Sequence, residues 1–137
     1  MVVTILYRME GEPLTAGAKT FSDVKAGLYY SKAVDWAAEK NIVNGFSDGT
    51  FKPEQPVTRE QLAAIISRYA VSKDIVVYDA ANALASTDVV SAWARSNVAW
   101  AAAEGILTKT ETTNTTKTAS RAEVATAIYT YLTKTAK

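Results

Sequence analysis

The segment Val34-Asp-Trp-Ala-Ala-Glu-Lys-Asn-Ile-Val43 recurs further along the chain as Val98-Ala-Trp-Ala-Ala-Ala-Glu-Gly-Ile-Leu107. A second pair of matching segments follows each copy, Thr58-Arg-Glu-Gln-Leu-Ala-Ala-Ile-Ile66 and Ser120-Arg-Ala-Glu-Val-Ala-Thr-Ala-Ile128. The N-terminal Val2-Val-Thr-Ile-Leu-Tyr-Arg8 matches Leu62-Ala-Ala-Ile-Ile-Ser-Arg68, which overlaps the first of these. Repeats of this length indicate supersecondary units that bury their apolar faces by packing on one another. The sequence therefore predicts the last helix of one repeat, one complete repeat and a second, altered repeat.

Apolar residues in the matching segments have the spacing of one helix face, which predicts a helix-loop-helix unit in each repeat. The predicted apolar positions are Val2, Ile5, Leu6 and Met9; Val34, Ala37 and Ala38, in a helix ending near Asn41; Leu62, Ile65, Ile66 and Tyr69; and Val124, Ile128, Tyr131 and Leu132. Strand signals are weak, and Ile75-Val-Val-Tyr78 is predicted to be either a short strand or an extended linker. The predicted fold class is mainly all-α.

The helix starts and the loops divide the chain into repeats and linkers. Thr58 with Gln61, and Ser120 with Glu123, have the spacing of capping boxes. The expected divisions are the last helix of an incomplete repeat (1–12), a linker (13–20), a complete repeat (21–72), a partly structured linker (73–85) and a divergent repeat (86–137). The Thr-rich loop 108–118 of the last repeat lacks the Asp48-Gly49 turn of the complete repeat and is predicted to be flexible.

Composition excludes several classes of function. The 137 residues contain no His and no Cys, which excludes His-based catalytic triads, thiolate catalysis and zinc sites with Cys or His ligands. A formal net charge of +1 argues against a nucleic-acid binder that relies on phosphate neutralisation. No apolar stretch approaches the roughly 20 residues of a membrane span, and the N-terminus does not read as a signal peptide. We expect a fragment of a longer protein.

The ordered series Phe21-Ser-Asp-Val24, Ala38-Glu-Lys-Asn-Ile-Val-Asn-Gly-Phe46, Asp48-Gly-Thr-Phe-Lys-Pro53 and Val57-Thr-Arg-Glu-Gln61 resembles the S-layer homology (SLH) repeat. The resemblance extends over nearly the whole chain. It implies three repeats in a pseudo-threefold bundle that anchors an exported bacterial protein to the cell wall without covalent bonds. The implied ligand is an anionic secondary cell-wall polysaccharide, often carrying pyruvyl ketal groups. The implied location is the cell surface, as part of a longer secreted protein.

The resemblance assigns the ligand-binding arginine of each repeat to Arg59 and Arg121. Residue chemistry allows the same role, because the first turn of a helix has free backbone N–H groups and a guanidinium binds a carboxylate with two parallel hydrogen bonds. In the alternative interpretation, Thr58 and Ser120 are ordinary caps and both arginines are solvated. The other candidate ligand-binding residues lie at these helix starts, at the opening of a repeat or in the loop that would shape the groove: Thr58, Ser120, Glu60, Asp23, Gly45, Asp48, Gly49 and Trp93.

The aromatic residues have two interpretations each. Trp36 and Trp100 are predicted to pack in the core, whereas Trp93, which matches Tyr29, either packs or stacks on a sugar face. Asp23 and Asp88 are caps or turn residues, or they bind sugar hydroxyls. Asn114-Thr-Thr116 also fits a glycosylation pattern, which is a weak signal.

No recognisable catalytic or cofactor motif is present, and one Asp does not make Asp48-Gly-Thr-Phe51 a calcium loop. We therefore expect no enzyme activity, cofactor or metal in this chain, and neither nucleic-acid binding nor membrane insertion. The alternative function is a protein–protein assembly module, in which Val2, Ile5, Leu6 and Met9 are covered by another chain to give a homo-oligomer.

Overall fold

The computed structural model describes residues 2–15, 21–25, 27, 30–45, 48–52 and 55–135. These contain the α-helices α1 (Val2–Met9), α2 (Ser31–Glu39), α3 (Arg59–Ser72), α4 (Arg95–Ala103), α5 (Lys109–Thr112) and α6 (Arg121–Thr135), and the 3₁₀ helices Ala81–Ala83 and Ala92–Ala94. The described segments contain no β-strand, only two isolated bridges, Thr58–Thr118 and Val89–Asn114. The predicted all-α class is confirmed, and Ile75–Tyr78 forms neither a helix nor the short strand that was one of its two predicted states.

The chain forms two compact units, Met1–Gln55 and Pro56–Lys137. In the first unit α1 packs on α2, with the Tyr7 and Trp36 rings 5.7 Å apart. In the second unit α3 packs on α4 and on α6, and the Tyr69 and Tyr131 rings are also 5.7 Å apart. Each unit thus joins the second helix of one predicted repeat to the first helix of the next. The packing unit is staggered relative to the sequence repeat, and a common axis for the repeats stays a prediction.

Buried positions follow the predicted helix faces closely but not completely. Val34, Ala37 and Ala38 on α2 are fully buried, as are Leu62 and Ile66 on α3. Two predicted core positions are wrong: Ile5 and Leu132 are 38% and 42% exposed. On α1 the buried stripe is instead Val2, Val3, Leu6 and Tyr7. This shift follows from the close approach of α2 on the side of Tyr7.

The first helices of the two repeats end in the same way. Asn41 and Gly105 both have left-handed backbone, with φ of 59° and 74°. The next residues fold back, so that Ile42 donates its N–H to the Ala37 carbonyl and Ile106 donates to the Ala101 carbonyl, both at 2.8 Å. A left-handed residue after the last turn is a common way to end a helix. The predicted end near Asn41 is therefore confirmed, with α2 itself ending at Glu39.

The Thr-rich loop of the last repeat is ordered, and its predicted flexibility is wrong. Thr108 and Glu111 form a capping box at the start of α5, in which each residue accepts the backbone N–H of the other. Thr112 and Thr115 are 3% and 0% exposed. Hydrogen bonds made by the threonines and the capping carboxylate offset the loop's lack of large apolar residues.

Candidate functional site

The first turn of α3 has no free backbone N–H group, contrary to the prediction. The N–H groups of residues 59 and 60 donate to carbonyls of the loop 115–117, both at 2.9 Å. Those of residues 61 and 62 donate to the Thr58 hydroxyl and carbonyl, at 3.2 and 2.9 Å. Thr58 is therefore an N-cap with a complete capping box, as predicted. Since all four donors are occupied within the protein, this helix start cannot bind an anion through its backbone.

The Arg59 guanidinium makes a two-pronged ion pair with Glu123 of the following repeat. Nε donates to Oε1 at 2.9 Å and Nη2 donates to Oε2 at 3.0 Å, while Nη1 donates to the Asn114 carbonyl at 3.2 Å. The two side chains are 15% and 24% exposed. The pair joins two elements that are far apart in sequence, and the repeat pattern alone gave no signal for it.

Both partners of this pair have shifted pKa values. Hydrogen bonds to Glu123 raise the pKa of Arg59, with burial opposing them and the charges of Glu123 and Glu111 adding to them. The hydrogen bonds from Arg59 lower the pKa of Glu123, again against burial. The Glu111 side chain lies nearby and is buried, and its Oε2 has no hydrogen-bond partner among the described residues. Arg59 therefore sits in negatively charged surroundings.

Glu60 links α3 to the start of the last repeat. Its side chain is buried, and its carboxylate accepts the Ser91 N–H at 3.0 Å, the Ser91 hydroxyl at 2.6 Å and the Thr115 hydroxyl at 3.0 Å. These bonds direct the carboxylate into the protein. A ligand would have to replace them to reach Glu60.

Arg121 differs from Arg59 although the two occupy matching positions. Arg121 is exposed, and its side chain has no hydrogen bond or ion pair within the ranges that the structure describes. Ser120 caps α6, since its hydroxyl accepts the Glu123 N–H at 3.1 Å and its carbonyl accepts the Val124 N–H at 3.0 Å. Arg121 is therefore free to contact an acidic group from solvent.

The three tryptophans divide into two buried and one exposed. Trp36 and Trp100 are 3% and 1% exposed, which confirms the predicted core packing. Trp93 is 56% exposed and lies in the 3₁₀ helix Ala92–Ala94, which packs against α3. The structure thus brings Trp93 to the same unit as Thr58, Arg59, Glu60, Ser120 and Arg121. Tyr29, its match in the sequence, lies outside the described residues.

The remaining candidates, Asp23, Gly45, Asp48 and Gly49, lie in the other unit. The Asp23 carboxylate accepts the N–H groups of Phe51 and Lys52 at 2.8 and 2.7 Å, and the Phe51 bond in particular lowers its pKa. Asp23 therefore holds residues 51 and 52 in place by a contact between distant parts of the chain, which neither the cap-or-turn interpretation nor the sugar-binding interpretation predicted. Gly45 has φ of 74°, and a Cβ there would lie 2.3 Å from the Phe21 ring.

The turn at Asp48 has a counterpart in the last repeat that the sequence comparison missed. Asp48 Oδ1 accepts the Thr50 N–H at 3.1 Å and the Thr50 hydroxyl at 2.6 Å. These bonds lower the pKa of Asp48, and the bond from the hydroxyl has the larger effect. Asn114 Oδ1 accepts the same two groups of Thr116 at the same distances. Asp and Asn both form such turns, so the shared pattern Asx-x-Thr was the available signal.

The described residues contain no group of three or more acidic side chains placed to hold a metal ion. Within the same residues, no helix combines the length and the apolar character that a membrane span needs.

Comparison with known proteins agrees with the repeat structure. The profile of the S-layer homology domain matches residues 20–63 and 87–125, which together exceed half of the chain. The outer membrane protein SlpA of Thermus thermophilus is 46% identical over 52 residues, covering 38% of this chain and 6% of SlpA. A cellulosome-anchoring protein of Acetivibrio thermocellus is 32% identical over 50 residues, covering 36% and 11% of the two chains.

An amylopullulanase of Thermoanaerobacterium thermosulfurigenes is 37% identical over 122 residues, covering 83% of this chain and 6% of the enzyme. No solved structure matches significantly. The chain thus corresponds to only a small part of each of these relatives.

Proposed function

Because the chain belongs to the S-layer homology family, we propose that it anchors a bacterial surface protein to the cell wall without covalent bonds. The ligand we propose is an anionic secondary cell-wall polysaccharide, with a pyruvyl ketal as its acidic group. The names of the relatives support a surface role, since they include an outer membrane protein and an anchoring protein. Any catalysis by the full-length protein would belong to another part of it.

The observation that carries the proposal is the exposed guanidinium of Arg121 at the start of α6, which makes no ion pair or hydrogen bond within the part of the chain that the structure describes. An uncommitted guanidinium binds a carboxylate with two charge-assisted hydrogen bonds. Exposed Trp93 in the same unit offers a flat apolar surface of the kind that stacks on a sugar ring. Arg59 stays a second proposed contact, since three of its five N–H groups donate to Glu123 and Asn114 and two remain.

The test is co-sedimentation with purified wall sacculi, either carrying their polysaccharide or stripped of it. We expect pelleting only with intact sacculi, weakened by added salt because exposed charges are screened. Arg121→Ala should reduce the bound fraction strongly. Arg95→Ala is the matched control, because Arg95 is also an exposed arginine at the first position of a helix.

Equal pelleting with both kinds of sacculi would exclude recognition of the polysaccharide. An Arg121→Ala variant that pellets as well as Arg95→Ala would exclude Arg121 as the acidic-group contact.

One observation favours the alternative, an assembly module. Tyr129 and Leu132 lie three residues apart on α6 and are 68% and 42% exposed. The face of α1, in contrast, no longer supports it, because Val2 and Leu6 are buried in the single chain. A solution mass measured by light scattering that stays monomeric across concentrations would contradict this alternative.

A further inference from the structure

Glu123 occupies the edge of Arg59 that a carboxylate ligand would use. A guanidinium offers a carboxylate two parallel donors on one side, and here Nε and Nη2 both donate to the Glu123 oxygens at 2.9 and 3.0 Å. The pair is largely shielded from solvent, with Arg59 15% exposed. The positive charge of Arg59 is therefore already neutralised before any ligand arrives.

The remaining hydrogen-bonding capacity of Arg59 suits a different group. Nη1 donates once to the Asn114 carbonyl at 3.2 Å, so one N–H on Nη1 and one on Nη2 are left. A second carboxylate at these two donors would face the charge of Glu123 across a single guanidinium, with buried Glu111 close by. Placing like charges together at an interface is unfavourable, whereas a neutral oxygen acceptor meets no such repulsion.

We infer that Glu123 is a specificity-determining residue, which makes the Arg59 position accept a neutral sugar oxygen and leaves the acidic group of the polymer to Arg121. The neutral group is a ring hydroxyl or the carbonyl of an N-acetyl group. This inference rests on the proposed function, because it divides the recognition of one polymer between two matching arginines. The difference arises at one contact: Arg59 has a carboxylate from the following repeat, and Arg121 has none in the described part of the chain.

The experiment follows the side-chain Nε–H signals of Arg59 and Arg121 by NMR while sodium glucuronate is added as the acidic probe. N-acetylglucosamine is the neutral probe. In the unmodified protein, glucuronate should shift Arg121 but not Arg59, with binding at Arg59 at least about tenfold weaker. Glu123→Gln keeps the side-chain volume and removes the charge, so glucuronate should then shift Arg59 as well.

Several results would overturn the inference. A response of Arg59 to glucuronate in the unmodified protein, at the concentration that shifts Arg121, would do so without any variant. Failure of Glu123→Gln to add an Arg59 response would also do so, including the case in which no arginine responds. Gln61→Glu is the control, because Gln61 occupies in α3 the position that Glu123 occupies in α6. The Gln61 side chain accepts the Thr58 N–H and does not bind Arg59. A change of charge at this position should not create a response of Arg59 to glucuronate.

Folding of Glu123→Gln is checked by the signals of the buried Trp100 indole, and Glu123→Ala serves as a second variant. The result is separable from the anchoring test. If the unmodified protein pellets with intact sacculi while Glu123→Gln gains nothing at Arg59, the inference fails and the proposed function stands. If pelleting fails, the probe titration still reports whether Glu123 controls anion access to Arg59.

Discussion

Glu60 and Ser91 are joined by two hydrogen bonds, since the Glu60 carboxylate accepts both the backbone N–H and the hydroxyl of Ser91, at 3.0 and 2.6 Å. The contact attaches Ser91, near the start of the last repeat, to the first turn of α3. It explains why the acidic residue after Arg59, a candidate ligand contact from the sequence, serves here as an internal acceptor.

Glu60→Gln should destabilise the protein by about 2 kcal/mol, because hydrogen bonds to a buried carboxylate are among the stronger ones and the amide cannot accept from all three donors. Urea unfolding followed by circular dichroism measures the change. Glu104→Gln is the control, since Glu104 is only half-buried and accepts from the exposed Tyr78 hydroxyl. Equal losses in the two variants would contradict the structural role of Glu60. A double-mutant cycle with Ser91→Ala isolates the pair itself.

Gly45→Ala should cost more stability than Gly49→Ala. Both glycines have left-handed backbone, with φ of 74° and 82°, which costs a residue with a Cβ about 1–2 kcal/mol. At Gly45 the added Cβ would also lie 2.3 Å from Phe21 Cε1 and 2.8 Å from the Thr50 carbonyl, whereas Gly49 faces open space. We expect an additional loss of about 1–3 kcal/mol at Gly45 from this overlap. Thermal unfolding of both variants measures it, and equal melting temperatures would refute the close approach.

The Arg59–Glu123 pair should make stability depend on pH in the acid range. The pKa of Glu123 is lower in the folded protein than in the unfolded chain, so its contribution is fully present above the unfolded pKa and is lost as pH falls through the folded one. The free energy of unfolding of Glu123→Gln should therefore be about 1–2 kcal/mol lower than that of the unmodified protein near neutral pH. The difference should shrink below about pH 4.5 as the carboxylate protonates.

Urea unfolding at a series of pH values tests this dependence. Arg59→Met is the partner control, because it removes the cause of the lowered pKa. If the difference in unfolding free energy between Glu123→Gln and the unmodified protein stayed constant down to low pH, the charge of Glu123 would not be the cause of that difference.

Trp93 should be the only tryptophan that iodide reaches, because it is 56% exposed while Trp36 and Trp100 are 3% and 1% exposed. Iodide quenching of fluorescence should show one accessible class, and Trp93→Phe should abolish it. Stability should change by less than about 0.5 kcal/mol, as for other surface substitutions. Quenching that persists in Trp93→Phe would contradict the burial of the other two. The same signal reports whether sugar binds over Trp93.

The predictability of the fold can be judged from individual residues. Apolar spacing located the helices, and the Thr58–Gln61 box located the start of α3, because both signals act within a few residues of the chain. Leu132 was misassigned to the core, because the neighbouring helix that packs against α6 decides which residues at the border of its apolar face are buried. The ordered loop 108–118 was missed because a Thr-rich composition does not reveal which hydroxyls find buried acceptors.

The candidate site was predicted in part. The chain pattern identified Arg59 and Arg121 as equivalent, but it gave no signal for the bonds that join Asp23 to the distant Phe51 and Lys52. It could not distinguish the two arginines, since their local sequences, Thr58-Arg59 and Ser120-Arg121, are nearly the same. Their roles as ligand contacts stay predictions.

By itself the sequence determined the repeats, the helices and their caps, because these depend on residue spacing and on hydrogen bonds between near neighbours. Tertiary structure alone decided that Glu123 neutralises Arg59, whereas Arg121 has no such partner among the described residues. That difference comes from packing α3 beside α6, which brings together charges far apart in the chain, and the energy of an ion pair depends on distance and burial rather than on position in sequence.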